Sequence, residues 1–262
     1  MSTVYLIASG KGGVGKSTAA VSLALALKNR GVSTALFDGD LGLRCADLML
    51  DVQDRVVFDM ADCLSSVVPI DEALYPIGGE DSCLKLLCAS QTLRAAEVYP
   101  REIRMLTEQL RTRFDVVLID GPAGVGRNLK LLPGASDQVI LVCNSDPISI
   151  RDTEKTADVL HQMGHDHPYL LVNRLDVSMV RAGRAPVPRT LAMQFDMPLL
   201  GLVPESPAVP RALLERKPAY ECGDRAVRAA FDRIAARLMG EQVPFPRVDV
   251  SPVRRFFAHG RT

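Results

Sequence analysis

The amino-acid sequence has few of the features that mark membrane, secreted or nucleic-acid-binding proteins. Its apolar runs are too short and too often interrupted to span a bilayer, and its first residues contain no basic stretch, long apolar core or cleavage site. Lysine and arginine together number 31, as do aspartate and glutamate, so no overall field would attract nucleic acid or an anionic surface. We therefore expect a cytoplasmic protein without a nucleic-acid partner, whose contacts with any membrane are local.

Cysteine is present but forms no ligand or disulfide pattern. The six cysteines, at positions 45, 63, 83, 88, 143 and 222, include no CxxC pair and no cluster with histidine. Disulfide frameworks and zinc sites are recognised by such spacings. The sequence thus predicts reduced thiols in the core or at the surface.

Strand-like apolar runs alternate with segments of helical period along nearly the whole chain. We predict seven strands, at residues 4–9, 33–38, 84–89, 115–120, 138–143, 169–173 and 199–204, and five helices, at 16–30, 101–112, 148–163, 208–216 and 224–239. This alternation is typical of a doubly wound α/β domain, in which helices cover both faces of a mostly parallel sheet. The composition changes after Met239, and we predict one domain over residues 1–245 followed by a tail over residues 246–262.

A glycine-rich stretch, GKGGVGKST, occupies residues 10–18 between the first predicted strand and the first predicted helix. It fits GxxxxGK[ST], the phosphate-binding loop, in the structural context which that loop requires. Its glycines let backbone amides close around phosphate oxygens, while the start of the helix adds a favourable dipole. We expect Lys16 to bind the β- and γ-phosphates, the Ser17 hydroxyl to bind magnesium and Thr18 to contact the α-phosphate. The predicted nucleotide contacts in this stretch are Gly10, Lys11, Gly12, Gly13, Val14, Gly15, Lys16, Ser17 and Thr18.

Aspartates stand at the ends of two further predicted strands. Asp38 and Asp40, in LFDGDLGL, end the strand after the first helix, and Asp120, in DVVLIDGPAG, ends another apolar strand. An open parallel sheet presents its ligand crevice at this edge, where Asp120 is typical of an aspartate that holds a magnesium-bound water. For any one of the three, a carboxylate that caps a turn is an equally good interpretation. Together with the glycine-rich loop, they favour a site for a nucleotide with Mg²⁺.

The motifs occur together in one known family. The chain resembles MinD, within the ParA and MinD group of deviant Walker ATPases, in the stretches GKGGVGKST, FDGDLGLRCADLML, DRVVFDMADCL, LLCASQT, IDGPAG and SIRDTEK. The resemblance runs in order from Val4 to about Phe245. GLRCADL and RVVFD favour MinD over the related FlhG and ParA proteins, and GPAGVGRN lacks the cluster-bridging cysteine of the nitrogenase iron protein.

The resemblance implies hydrolysis of ATP with Mg²⁺ and assigns roles to single residues. In the family, the extra lysine of the loop, here Lys11, reaches across a nucleotide-sandwich dimer to the partner's ATP and acts as an arginine finger does. Without a partner we expect this lysine to be solvated. The other implied roles are Lys16 at the phosphates, Asp40 positioning the attacking water, Ser17, Asp38 and Asp120 at the magnesium ion, Asn173 and Pro204 at adenine, and Asp152 at a partner's docking surface.

The C-terminal tail is similar to the family's membrane-targeting helix. Val253, Phe256 and Phe257 fall at i, i+3 and i+4, so a helix would place them on one face beside two arginines. Because such a helix would have only about two turns, a disordered tail without membrane contact is the alternative. The resemblance further implies a homodimer formed with ATP, the division inhibitor MinC and the regulator MinE as partners, and reversible attachment to the inner face of the cytoplasmic membrane.

Other functions fit parts of the sequence. One is an FlhG-like or ParA-like positioning ATPase, the latter acting on nucleoid DNA. Another is a P-loop kinase or ligase that acts on a metabolite, which would need an acceptor pocket or lid that the sequence does not reveal. A third is a nucleotide-gated binding protein that hardly hydrolyses its nucleotide.

Overall fold

The chain folds around one sheet of mostly parallel strands, as shown by a computed structural model that describes residues 2–41, 43–94 and 96–248. In this part of the chain the strands are β1 (Thr3–Ser9), β2 (Thr34–Asp38), β3 (Leu74–Pro76), β4 (Leu84–Leu87), β5 (Val116–Ala123), β6 (Gln138–Cys143), β7 (Tyr169–Leu175) and β8 (Leu199–Pro204). The helices are α1 (Lys16–Asn29), α2 (Ala46–Met49), α3 (Met60–Leu64), α4 (Ile70–Ala73), α5 (Pro100–Arg111), α6 (Arg127–Lys130), α7 (Pro147–Gln162), α8 (Val177–Arg181), α9 (Pro188–Gln194), α10 (Ala208–Leu214) and α11 (Arg225–Leu238).

The order of the strands confirms the predicted doubly wound fold. It runs β3-β4-β2-β5-β1-β6-β7-β8, and every strand is parallel to its neighbours except β3, which is antiparallel to β4. All seven predicted strands and all five predicted helices are present, with ends within three residues of the prediction. The strand order reverses around β1, so the loop after β1 lies at the switch point where such sheets bind ligands.

Two apolar layers hold the sheet between its helices. Successive side chains of β1 point to opposite faces, so Leu6 belongs to one buried cluster and Ile7 to the other. The first cluster also contains Leu106 of α5, and the second contains Leu23 of α1 and Phe231 of α11. Because the central strands are covered on both faces, they read as continuous apolar runs, which is why the sequence revealed them.

The position of Asp120 within its strand was predicted wrongly. We expected β5 to end at this residue, but the strand continues through Ala123, which pairs with Ser9 of β1. Gly121 allows the strand to continue beside β1 because it has no side chain. A Cβ at this position would lie only 2.9 Å from the Ile7 backbone oxygen and would collide with it. Asp120 is therefore a fully buried residue inside a strand.

The segment after α11 returns to the sheet edge. Arg237 donates to the carbonyl oxygens of Leu200, Val243 and Pro244, and its guanidinium lies 3.8 Å from the ring centre of Phe245. Val248 is buried. The predicted boundary between domain and tail at residues 245 and 246 stays a prediction. No helix in the described ranges is long and apolar enough to cross a bilayer.

Candidate nucleotide-binding site

The glycine-rich loop connects β1 to α1. Gly13 and Gly15 adopt left-handed backbone conformations, with φ of 81° and 91°, which residues with a side chain rarely adopt. Lys16, Ser17 and Thr18 form the first turn of α1. The N-cap residue of this helix is Gly15, which has no side chain to accept hydrogen bonds from the amides of that turn. The first amides of the helix are thus left for an anion, as a phosphate-binding loop requires.

Gly10, at the start of the loop, lies directly against α7. A Cβ at this position would be 2.2 Å from the backbone oxygen of Asp152 and 2.6 Å from Thr156 Oγ1. Gly12 differs, because apart from this glycine and its two neighbours in sequence no atom of the described chain lies within 4 Å of a Cβ placed there. The loop is therefore fixed to α7 at its start and open at its centre.

We expect Gly10→Ala to lower the melting temperature clearly, because the new methyl group would collide with helix backbone that cannot turn aside. Overpacking of this kind costs about 1–3 kcal/mol, or more where backbone must move. Gly12→Ala is the matched control and should change the free energy of unfolding by less than about 0.5 kcal/mol. Thermal melts of both variants check this, and equal melting temperatures for Gly10→Ala and the wild type would contradict the close contact.

Three aspartates and Lys16 meet at the carboxyl end of the sheet. Asp38 and Asp120 are register partners on the neighbouring strands β2 and β5, and both are fully buried. Asp40 is 9% exposed. Lys16 Nζ lies 2.7 Å from Asp120 Oδ1 and 3.1 Å from Ser17 Oγ. The structure thus brings the predicted phosphate-binding Lys16 together with the three residues predicted at the metal, which are Ser17, Asp38 and Asp120.

Burial makes the charged forms of two of these carboxyl groups, those of Asp38 and Asp40, costly. It raises the pKa of Asp38 to about 7, and the nearby Asp120 carboxylate adds to this shift. Hydrogen bonds from the backbone N–H groups of Ala46 and Asp40 to Asp38, at 3.0 and 3.1 Å, oppose it, as does Lys16. Burial likewise raises the pKa of Asp40, with Lys16 opposing. A further cation at this position would favour the ionised carboxylates.

The donor set fits a magnesium ion held together with phosphates. Asp120 Oδ2 is buried and has no hydrogen-bond partner in the described chain. No three His, Cys, Asp or Glu side chains in that part of the chain are grouped to hold a metal by themselves. Mg²⁺ prefers oxygen ligands and is usually bound by one or two protein groups, with phosphates and water completing its octahedron. The Ser17 hydroxyl and the carboxylates of Asp38 and Asp120 suit that arrangement.

A cavity of about 210 Å³ lies beside the loop, between the ends of β7 and β8. Asn173 and Pro204, both predicted at adenine, line it together with Gly15 and Thr18. Asn173 Nδ2 donates to the backbone oxygen of Val14 at 2.8 Å, so its Oδ1 is the atom that could accept from a base. The two residues therefore share one cavity next to the loop, and their contact with adenine stays a prediction.

Lys11 lies on the exposed rim of the loop. Its Nζ is 3.9 Å from Asp146 Oδ1, and both side chains are 43% exposed. We expected this lysine to be solvated, and the structure adds a loose ion pair because Asp146 caps the start of α7 beside the loop. Lys16, in contrast, is 6% exposed. The two lysines of the loop thus occupy different environments, one inside the phosphate site and one at its edge.

Asp152, predicted at the docking surface, lies in the second turn of α7 and is half-buried. A helix dipole acts mainly on the first turn, so stabilisation of the helix start does not explain this carboxylate. The predicted membrane residues Val253, Phe256 and Phe257 lie outside the described residues.

Two residues of the site were not predicted from the sequence. Arg174 forms a bidentate ion pair with Glu205, at 2.9 and 3.1 Å, where the base cavity opens. Asn144 directly follows β6 beneath the loop. The only sequence signal for either is a polar residue at the end of an apolar run, which is a common feature of turns.

The loop and its acidic partners define a class of protein. The family described as "ParA: NUBPL iron-transfer P-loop NTPase" matches residues 1–239. The chain is accordingly a P-loop NTPase of the ParA type.

Individual relatives narrow this class. The septum site-determining protein MinD of Bacillus subtilis (strain 168) is 30% identical over 245 residues, which cover 93% of this chain and 91% of that protein. The structure of a MinC:MinD cell division protein complex from Aquifex aeolicus superimposes with a TM-score of 0.86 at 28% identity, covering 95% of this chain and 100% of that one. MinD of Pyrococcus horikoshii OT3 complexed with Mg-ADP has a TM-score of 0.79 at 28% identity, covering 91% and 96%. The chain belongs to the MinD family, and it is an ATPase that uses ATP and Mg²⁺.

Proposed function

We propose that this ATPase forms a dimer with ATP, attaches reversibly to the inner face of the cytoplasmic membrane and positions the division site by recruiting a division inhibitor of the MinC type. The observation that carries the proposal is the separation of the two loop lysines. Lys16 is buried and paired with Asp120 within its own phosphate site, whereas Lys11 stands on the rim. A cation on the rim suits a phosphate that is presented by a second copy.

Within one protomer, different residues would bind the phosphates, hold the metal and position the attacking water. The loop amides and Lys16 would bind the phosphates, and Ser17, Asp38 and Asp120 would hold the metal, directly or through water. Bound Mg²⁺ neutralises charge on the phosphate oxygens. Asp40 would orient the attacking water, since its carboxylate lies beside this cluster and is little exposed.

Lys11 would complete the site of the other protomer. Charge spreads over the γ-phosphoryl oxygens as the bond to the leaving group breaks, and a cation supplied by the partner stabilises it. Hydrolysis would then depend on assembly. The half-exposed Asp146 pairs only loosely with Lys11 at 3.9 Å, so releasing the lysine would cost little.

Recruitment of the inhibitor is proposed for α7, around Asp152. The MinC:MinD complex of Aquifex aeolicus, which resembles this chain over 95% of its length, supports a partner of that kind. The contact of Gly10 with the Asp152 backbone would connect such a docking surface to the loop. MinE is proposed as a further regulator on the strength of family membership.

Membrane attachment is proposed for the tail. Burial of Val253, Phe256 and Phe257 would contribute at most about 1.5–3 kcal/mol for each side chain, so one tail would bind weakly. Two tails in a dimer would bind much better, because the second attaches at a high effective concentration. ATP would thereby control residence on the membrane.

Two measurements test the proposal, each made in ATP, ADP and a non-hydrolysable ATP analogue. Light scattering gives the oligomeric state, and co-sedimentation with anionic phospholipid vesicles gives the membrane-bound fraction. We expect a dimer that sediments with vesicles in ATP and in the analogue, and a monomer that stays in solution in ADP. A purified MinC-type inhibitor added to the vesicles should bind wild type and Asp158→Ala, an exposed change on α7, but not Asp152→Ala. A chain that is monomeric in all three nucleotides would overturn the proposal, and normal inhibitor binding by Asp152→Ala would overturn the docking site alone.

A further inference from the structure

The carbonyl group of Val14 is held from beneath the phosphate-binding loop by two asparagines. Asn173 Nδ2 donates to the Val14 oxygen at 2.8 Å. The Asn144 amide nitrogen reaches the same oxygen at 3.2 Å and the backbone oxygen of Asn173 at 3.1 Å. We assign the side-chain nitrogen of Asn144 to this side because an amide oxygen there would face only carbonyl oxygens, with no donor between them. We call Asn144, Asn173 and the Val14 carbonyl the amide clamp.

The amide clamp fixes the direction of the next amide in the loop. In a trans peptide the C=O and the following N–H point in opposite directions. Because the Val14 oxygen is bound by the two asparagines, the Gly15 N–H points away from them. Gly15 has φ of 91°, and a Cβ there would lie 2.3 Å from Asn173 Nδ2, so the clamp packs tightly against this peptide.

Asn144, which follows β6, also contacts three other parts of the fold at this point. Its backbone N–H donates to Ser149 Oγ at 2.9 Å, and Ser149 is buried in the first turn of α7. Its side chain reaches β7 at the Asn173 backbone oxygen and the loop at the Val14 oxygen. One residue thus connects β6, α7, β7 and the loop, while remaining only partly buried itself.

We propose that Asn144 is a positioning residue that, together with Asn173, holds the Val14 carbonyl so that the Gly15 N–H meets a phosphate of the nucleotide. The proposal rests on the nucleotide site and not on dimerisation, membrane attachment or an inhibitor. It gives Asn173 a second role, holding the Val14 carbonyl, in addition to the contact with adenine proposed above. The Gly15 amide lies at the N-terminus of α1, where the helix dipole favours the same anion.

The test compares two nucleotides that share a base but differ in phosphate content. Asn144→Ala removes one of the two donors to the Val14 oxygen, so that Asn173 alone holds this peptide and the peptide can turn more readily. We expect the Kd of ADP to rise about tenfold, the effect of losing one hydrogen bond to a charged group, while the Kd of AMP changes less than about twofold because the loop amides chiefly hold the outer phosphate. Asn144→Asp has the same shape but offers oxygens to the two carbonyls, so it should weaken ADP at least as much. Asn144→Gln keeps both donors and should recover part of the affinity.

Isothermal titration of the full chain with ADP and with AMP gives these values, and thermal melts show that each variant is folded. A merely structural role for Asn144 would weaken both nucleotides by a similar factor. That result, or an unchanged Kd for ADP in Asn144→Ala and Asn144→Asp, would overturn the clamp alone. A wild-type chain that binds neither nucleotide would overturn the nucleotide site together with the clamp.

Discussion

Lys16→Ala should abolish ATP hydrolysis and ATP-dependent dimerisation together. The side chain is buried and its ammonium lies 2.7 Å from Asp120, so the change removes the cation of the phosphate site. It also leaves buried carboxylates without a counter-charge, and breaking a buried pair in this way costs about 3–5 kcal/mol. Phosphate release, light scattering and chemical denaturation measure the three effects.

A second substitution separates the loss of stability from the loss of function. Asp120→Asn in the Lys16→Ala chain removes the buried carboxylate that has lost its counter-charge. This second change should restore much of the free energy of unfolding that Lys16→Ala removed. Hydrolysis should not return, because the phosphate-binding cation is still missing. Measurable turnover in a folded Lys16→Ala chain, with or without the second change, contradicts the assigned role of this lysine.

Lys11→Ala should leave the fold intact and yet remove most of the hydrolysis. Its ion pair with Asp146 is long and half-exposed, so its loss should change stability by less than about 0.5 kcal/mol. A cation supplied by a partner accelerates phosphoryl transfer by about 10³-fold or more. We therefore expect Lys11→Ala to lower the rate of ATP hydrolysis per active site by a factor of that order. ATP-dependent vesicle binding should fall as well, since fewer dimers would present two tails.

The matched control is Lys217→Ala. Lys217 is also an exposed lysine in an ion pair, at 2.9 Å from Glu215, but it lies away from the loop. It should hydrolyse ATP and bind vesicles as the wild type does. Equal turnover of Lys11→Ala and Lys217→Ala would show that the rim lysine does not act on phosphate.

The sheet and the loop could be predicted because their signals are local. Central parallel strands are buried on both faces and appear as apolar runs, and the loop is a contiguous motif between a strand and a helix. β3 was missed because it is three residues long and includes Pro76. The extension of β5 beyond Asp120 was missed because it depends on pairing with β1 through Gly121, and a glycine usually indicates a turn.

The remaining parts of the site depend on contacts between residues far apart in the sequence. Asn144 follows β6 and Asn173 lies within β7, and nothing in either segment shows that both reach the Val14 carbonyl. The pairing of Lys11 with Asp146 likewise joins the loop to the start of α7, 135 positions later along the chain. Such contacts follow from the order of the strands, which brings the ends of β1, β6 and β7 together.

The most direct test of ATP-dependent assembly is the ATPase rate of two inactive variants, alone and mixed in equal amounts. In Lys11→Ala the protomer keeps Asp40 but cannot serve its partner, whereas in Asp40→Ala it can serve its partner but cannot position its own water. A mixed dimer should contain one complete site, so the mixture should recover up to about a quarter of wild-type turnover, because half of the dimers are mixed and each has one active site of two. A mixture no more active than the two variants measured separately would contradict a lysine that acts across the dimer.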